Sequence, residues 1–369
     1  MKLTISRKAL YEGLQIVSRA VSTHTSLPVL KNVLIEPGTN AVKLCATDLD
    51  LGVEVLAPAQ IQESGSLTVP ARTLAEIVAA LPEADVSLAS DDQNHLVLCC
   101  RRADYRIHGL PADEFPSLPE VGGDVVFSIA QPLFKEIIRQ TVLAASSDDT
   151  RPMLTGVYTS LEDKHLRLVA TDTHRLAFRD AEVKEGSGTA TVIIPKRALG
   201  ELERVLEDDE EQLLQVRLGQ NQALFKTETV TLITRLIEGQ FPKYERVVPT
   251  QWQRRLTIPR EEFQSVVRRA RIVARDASAA NRVVLRTEGE NLVVTAEAGE
   301  VGKAYEELEV VREGDDIEIA FNASYLLDVA GVLDSEGLYL EMNEPLTPAV
   351  IRPVGGAAYL MVIMPMQVQ

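Results

Sequence analysis

Residues 169–177 read VATDTHRLA, which places a threonine, an aspartate, a histidine and an arginine between Thr171 and Arg175. A hydroxyl, a carboxylate and an imidazole are the parts of a nucleophile, orienter and base, and that chemistry requires all three within hydrogen-bond reach. Closeness in sequence works against it here, because successive side chains on a strand point to opposite faces. The segment also has counterparts. Residues 45–53 read CATDLDLGV, with Leu49, Asp50 and Leu51 in place of Thr173, His174 and Arg175, and residues 294–302 read VTAEAGEVG. What recurs is a strand ending in a turn, with Thr–Asp providing side-chain hydrogen bonds to the turn's backbone. The expectation is turn chemistry rather than catalysis.

Other chemistry-bearing patterns are sparse. DLDLG (48–52) resembles the nucleophile motif of magnesium-dependent haloacid dehalogenase-like phosphatases, which makes a phosphatase one alternative. Such an enzyme needs a parallel α/β setting, and the surrounding sequence lacks that pattern. Cys45, Cys99 and Cys100 form no C-x-x-C pair, and the histidines at 24, 95, 108, 165 and 174 form no H-E-x-x-H pair. The reading therefore includes reduced, mostly buried thiols, no metal and no cofactor. No apolar run approaches the ~18 residues of a membrane span. The opening MKLTISRKAL lacks a signal-peptide core, so a cytoplasmic location is expected.

The elements that carry these segments repeat. LTISRKALYEGLQIVSRAV (3–21), FSIAQPLFKEIIRQTVLAA (127–145) and LTIPREEFQSVVRRARIVA (256–274) each run from a short strand through a break into a helical pattern. Ile5, Ile129 and Ile258 correspond, at separations of 124 and 129 residues. A second set, SLTVPARTLAEIVAAL (66–81), TVIIPKRALGELERVL (191–206) and IEIAFNASYLLDVAGVL (317–333), aligns Pro70, Pro195 and Asn322. Proline suits the first helical position, where a missing N–H costs nothing, and asparagine suits an N-cap. Between these lie alternating, β-rich stretches. The expected fold is α+β: three tandem copies of one internally duplicated domain, each with two helices and two small antiparallel sheets. Polar, proline-containing stretches at 111–124 and 241–255 set the expected boundaries at 1–121, 124–247 and 253–369.

Charge separates between these elements. In the helix near 260–275, Phe263, Val266, Val267, Ala270 and Ala274 form a core stripe, with Arg268, Arg271 and Arg275 on a flank of the opposite side. In the first helix, Leu10, Leu14, Val17 and Val21 are expected to face inward and Arg7, Lys8 and Arg19 elsewhere. Together the six helical stretches carry a formal +5, although the whole chain carries −16. A mildly basic helical surface on an acidic body suits a phosphate backbone, and no base-reading motif accompanies it. The alternative for any one helix is that its basic residues are good helix formers with solvated heads.

The three copies, together with VPARTL, VATDTHRLA, EGQFPKYERVVP, FNASYLLDV and VIMPM, resemble the bacterial DNA sliding clamp family, the β subunit of DNA polymerase III, across the entire chain. The resemblance implies a processivity factor rather than an enzyme. It implies a head-to-tail homodimeric ring of six domains, with helices lining a hole that encircles double-stranded DNA without regard to sequence. It also implies a pocket for short peptides of a replicative polymerase subunit and of other replication and repair proteins, and an ATP-dependent clamp loader as partner, since the chain has no Walker sequence. A triplicated peptide-binding scaffold that never encircles DNA remains the alternative.

Carried over by resemblance, the pocket wall is Leu154, Thr171, Thr173, His174, Arg175, Leu176, Pro242, Arg246, Val247, Leu346, Val362, Ile363, Met364, Pro365 and Met366. Matching places His24, Arg72, Arg151, Arg197 and Arg204 toward the DNA, and the helical reading adds Arg268 and Arg275. Tyr105 and Ile107 are expected at one side of the dimer interface and Ile272 and Val273 at the other, although all four also suit ordinary core. Two positions depart from the family pattern. Thr173 stands where glycine is common, and Gln367 stands where a basic residue commonly follows M-P-M.

Overall fold

The computed structural model describes residues 1–22, 25–275, 280–356 and 358–368. The first copy contains β1 (Lys2–Ser6), α1 (Arg7–Val17), β2 (Asn32–Pro37), β3 (Ala41–Thr47), β4 (Leu51–Pro58), β5 (Gln60–Glu63), β6 (Leu67–Pro70), α2 (Ala71–Ala80), β7 (Asp85–Ser90), β8 (His95–Cys100) and β9 (Ala103–His108). The second contains β10 (Val125–Ala130), α3 (Gln131–Val142), β11 (Gly156–Glu162), β12 (His165–Thr171), β13 (Arg175–Glu182), β14 (Glu185–Ser187), β15 (Thr189–Pro195), α4 (Lys196–Glu203), β16 (Leu213–Leu218), β17 (Gln222–Lys226) and β18 (Val230–Arg235). The third contains β19 (Arg254–Pro259), α5 (Arg260–Ala274), β20 (Arg282–Glu288), β21 (Asn291–Ala298), β22 (Gly302–Glu309), β23 (Val311–Glu313), β24 (Glu318–Asn322), α6 (Ala323–Val332), β25 (Gly337–Met342), β26 (Ala349–Pro353) and β27 (Tyr359–Ile363).

Strand registers repeat with the sequence. Ile5 pairs with Val86, Ile129 with Leu214 and Ile258 with Leu338. Asn32 pairs with Pro70, Gly156 with Pro195 and Arg282 with Asn322. The aligned prolines close their strands rather than opening the helices: Pro70 ends β6 and is the N-cap of α2, and Pro195 ends β15 one residue before α4. Asn322 caps as expected, its side chain accepting from the Ser324 N–H at 2.9 Å.

The elements form two compact bodies. The first comprises Met1–Phe134, Lys184–Gly188 and Arg197–Leu236, and the second comprises Lys135–Val183, Thr189–Lys196 and Ile237–Gln369. The first body holds an antiparallel sheet in the order β5-β1-β7-β8-β9 and a nine-stranded sheet in the order β14-β10-β16-β17-β18-β4-β3-β2-β6. The second holds β15-β11-β12-β13-β27-β26-β25-β19-β23 and β22-β21-β20-β24. Two small sheets per copy would give six, but the described residues form four. The difference arises where β18 pairs with β4 and β13 pairs with β27. A free strand edge is a row of unpaired N–H and C=O groups, and pairing removes it.

The helices bury the stripes that their periodicity specifies. In α5, Phe263, Val266, Val267, Ala270 and Ala274 are buried. In α1, Leu10, Leu14 and Val17 are buried. Val21 is only half-buried, because the α-helix ends at Val17 and the chain has left the helical period by then. Within the first body α1 packs on β4 and α2, and within the second α5 packs on α6, β21 and β22. Some of the helical positive charge is structural. Arg7 Nε and Nη2 donate to the carbonyls of Val78 and Ala79 at 3.0 and 2.7 Å, closing the last turn of α2. Among the described residues, no helix is long and apolar enough to cross a membrane. Cys45 and Cys100 are buried, Cys99 is half-buried, and burial pushes the Cys45 thiol up to about 12.

Candidate functional site

The VATDTHRLA segment is a turn between β12 and β13. Thr171 Oγ1 donates to the Arg175 carbonyl at 2.7 Å and accepts from the Thr173 N–H at 3.1 Å. Asp172 Oδ1 accepts from the N–H groups of His174 and Arg175, both at 3.0 Å. The earlier copy makes the same bonds. Thr47 Oγ1 donates to the Leu51 carbonyl and accepts from the Leu49 N–H, both at 3.0 Å, and Asp48 Oδ1 accepts from the N–H groups of Asp50 and Leu51. Thr–Asp is therefore a turn device used twice. The phosphatase alternative fails on the same geometry: the Asp48 carboxylate is committed to this turn and to an ion pair with Arg197, in an antiparallel sheet.

Arg175 separates the two turns chemically. Its Nε donates to Asp172 Oδ2 at 3.0 Å, its Nη1 to Asp328 of α6, and its guanidinium lies 4.4 Å from the centre of the Tyr325 ring. The side chain is only 12% exposed. Lys196 donates to the Ala145 carbonyl at 3.1 Å. Burial, together with Arg175, holds its ammonium below the usual lysine range.

The β13–β27 ladder brings the two pocket motifs together. Leu176 pairs with Val362 and Arg175 with Ile363, and the Met364 N–H donates to the His174 carbonyl at 2.8 Å. Leu176 and Val362 enter one buried cluster with Val169, Val350, Leu360 and Tyr244, against which Phe241 and Val248 pack. The FPKYERVV segment is thus anchored by Phe241, Tyr244 and Val248, while Pro242, Arg246 and Val247 remain exposed. The Tyr244 hydroxyl lies 3.4 Å from Arg167 Nη1, and burial raises the pKa of its phenol.

The fifteen residues do not all share one face. Leu176 and Val362 lie on the Tyr244 side of the sheet, whereas Arg175 and Ile363, one position away, lie on the other side, where Arg175 meets α6. Thr171, Thr173 and His174 stand at the strand end. Leu346 and Met364 are exposed, Leu154 is buried, Pro365 is half-buried, and the Met366 N–H bonds to the Ala320 carbonyl beside β24.

The expected DNA-facing cations are mostly engaged. Arg72 pairs with Glu76, Arg151 with Asp148, Arg197 with Asp48, and Arg204 with Glu201. Arg268 is exposed with no ion pair among the described residues, and Arg275 is exposed at the end of α5. His24 lies outside the described residues.

Family models for the DNA polymerase III beta subunit match the N-terminal domain at residues 1–119, the central domain at 128–243 and the C-terminal domain at 245–367. The chain belongs to the DNA polymerase III beta subunit family. It is 31% identical to a beta sliding clamp of Staphylococcus aureus, covering 100% of this chain and 99% of that protein. Among solved structures, the Bacillus subtilis sliding clamp is similar at 31% identity with a TM-score of 0.95. A Pseudomonas aeruginosa sliding clamp bound to griselimycin is similar at 31% with a TM-score of 0.94. Both comparisons cover 100% of each chain. A beta subunit is a processivity factor of DNA polymerase and not itself an enzyme.

Within this clamp fold, the residues chosen for an interface have unequal settings. Tyr105 is 39% exposed on β9, an edge of its five-stranded sheet, but Ile107, on the same side of that strand, is buried in the core. Ile272 is 65% exposed on α5, and Val273 is half-buried. Sequence reading passed over Tyr305, which is 60% exposed on β22, an edge of the four-stranded sheet. The signal was available as an aromatic residue in an alternating strand crowded with charge.

Thr173 has φ of 79°, a left-handed conformation that disfavours β-branched residues and favours glycine. The earlier copy tolerates Leu49 at φ of 81°. Thr173→Gly is expected to stabilise the clamp by about 1 kcal/mol, the strain relieved exceeding the added unfolded-chain entropy. Urea unfolding checks this, and a lower midpoint would contradict it.

Proposed function

We propose that two copies of this clamp close head to tail into a ring around duplex DNA. In this reading the three domains run 1–121, 124–247 and 253–369, with helices toward the hole and sheets outside. The observation that carries the reading is that two of the edge strands, β9 in the first copy and β22 in the third, each present an exposed tyrosine, Tyr105 and Tyr305. Pairing β9 of one protomer with β22 of its partner satisfies both edges. A heterologous contact of this kind, made twice, yields a closed dimer. Ile272 joins that interface from α5, with Val273 behind it, and Ile107 supports it from the core.

Holding is then topological, so the inner surface needs only weak, sequence-blind attraction. The ion-paired Arg72, Arg151, Arg197 and Arg204, together with Arg268, which has no ion pair among the described residues, and with Arg275, suit that task. A guanidinium already shared with a carboxylate gains less from each phosphate and gives it up more readily. An ATP-dependent loader opens the ring in the cytoplasm.

The polymerase subunit and other replication and repair proteins attach through short peptides at the Leu176–Val362 site. Exposed Val247, Leu346 and Met364 provide the apolar contacts, and Thr173 and His174 at the strand end the polar margin, with Arg175 fixing the turn from the opposite face. Met364→Asp is expected to weaken a labelled C-terminal peptide of the polymerase subunit roughly thirtyfold in fluorescence anisotropy, the effect of losing about 2 kcal/mol at a hot spot. The mass in solution should be unchanged. Unaltered affinity would contradict the assignment.

A further inference from the structure

A cavity of about 240 Å³ opens in the second body beside Trp252. At its wall the carboxylate of Glu341, on β25, is buried between two arginines. Arg255 donates through Nη2 at 2.7 Å and Nε at 3.2 Å to Oε1, and Arg352 donates through Nε at 3.1 Å to Oε2. The Arg255 guanidinium lies 4.1 Å from the centre of the Trp252 ring and 4.7 Å from that of Tyr339. Trp252 is itself 36% exposed, and Asn343, Val350 and the 249–251 segment also line the cavity. Two cations face one anion here. Among the described residues, Nη1 of Arg255 and both terminal nitrogens of Arg352 have no hydrogen-bond partner. The cavity lining therefore carries one positive charge in excess and a fork of unused donors, with Glu313 of β23, the register partner of Arg255 on the neighbouring strand, outside the lining.

The repeats serve as an internal control. The ladder Arg255–Glu341–Val350 in the third copy corresponds by register to Val126–Arg217–Leu224 in the second and to Lys2–Ala89–Val97 in the first. The second copy also has a cavity at the equivalent place, of about 380 Å³, and there Val126 replaces Arg255 and Val121 precedes it in the linker. The fold thus accepts an apolar residue at the Arg255 position. Only Glu341 of this set is buried, the arginines being 26% and 27% exposed. Desolvating such a carboxylate offsets much of what its ion pairs contribute, and the second copy keeps the fold with valine in place of Arg255, so scaffold stability does not account for the paired arginines or for the exposed tryptophan beside Arg255.

We propose that the Trp252 cavity binds a carboxylate side chain of an acidic partner peptide. A single excess charge matches a carboxylate, whereas a phosphate dianion would be left under-neutralised beside Glu341. Planar guanidinium forks match a carboxylate in geometry. The volume fits one side chain and falls below the ~300 Å³ at which sites for drug-sized ligands begin. The cavity is lined by none of the fifteen peptide-pocket residues, although its Val350 pairs with Val362, so Arg352 is the position whose substitution tests the cavity and leaves the ring and the Leu176–Val362 pocket standing.

Trp252 is the only tryptophan in the chain, so its emission reports on this cavity alone. Titrating the full-length protein with the blocked peptide acetyl-Ala-Glu-Glu-Ala-amide is expected to give a saturable change in emission, and the glutamine version none. Arg352→Gln should weaken binding roughly tenfold or more, the loss of a charge-assisted hydrogen bond. Arg352→Lys, which keeps the charge without the planar fork, should fall between. Calorimetry on the same samples, with each variant's unfolding midpoint measured alongside, separates lost binding from lost structure. Any of three results would overturn the proposal: no saturation by either method, an equal response to the glutamine peptide, or tighter binding of inorganic phosphate than of the glutamate peptide.

Discussion

Replacing Ile272 with aspartate is expected to convert a dimer of twice 40.5 kDa into a 40.5 kDa monomer at micromolar concentration. Ile272 is 65% exposed on α5, off the buried stripe that runs from Phe263 to Ala274, and no described residue of its own body covers it. An exposed isoleucine next to a free sheet edge is explained if a second copy covers it. A carboxylate in the same place would have to be desolvated without a partner, at a cost of roughly several kcal/mol. In the proposed ring the same contact is made twice, so one substitution acts at both. Sedimentation or mass photometry reads the result directly. A stable dimer of the variant would remove Ile272 from the interface, and unfolding midpoints matching the parent protein would confirm that a monomer is folded.

Arg175→Ala is expected to be the most damaging single truncation near the peptide pocket. The arginine holds Asp172 and Asp328 at once, stacks over Tyr325 and is only 12% exposed. Its removal leaves two carboxylates without their common partner and frees the β12–β13 turn from α6. Breaking a largely buried ion pair by removing one partner costs about 3–5 kcal/mol. Arg175→Lys should recover only part of this, because an ammonium cannot reach both carboxylates with a planar fork. A urea-unfolding change below about 1 kcal/mol would mean that the contacts are no better than surface ion pairs.

Much of this architecture is legible in the sequence, for a specific reason. A duplicated sheet must reproduce its register, since a one-residue slip turns every side chain to the wrong face. That constraint is why Ile5, Ile129 and Ile258, or Pro70, Pro195 and Asn322, can be aligned by eye and then occupy equivalent rungs. The α5 stripe follows equally directly from its period. The joining of sheets across copies does not, because β18–β4 and β13–β27 pairing is long-range and leaves no local mark on either strand. Counting helical charge also could not distinguish Arg7, used to close α2, from Arg268, which is exposed and carries no ion pair among the described residues. The pocket motifs were visible as words, but the division of Arg175 and Leu176 between opposite faces appears only once β13 is placed beside β27. The Arg255–Glu341–Arg352 set was invisible because its members are 86 and 11 residues apart and meet only through the sheet.

The central claim is encirclement, and its most direct test is retention on circular DNA. Clamp loaded onto a nicked plasmid should remain bound through gel filtration at a salt concentration that removes ordinary electrostatic binders, and it should be lost when a single restriction cut linearises the plasmid. The Ile272→Asp variant should not be retained on either form. Equal retention on circular and linear DNA, or loss from both at the same salt concentration, would contradict a closed ring and favour a scaffold that binds peptides without surrounding DNA.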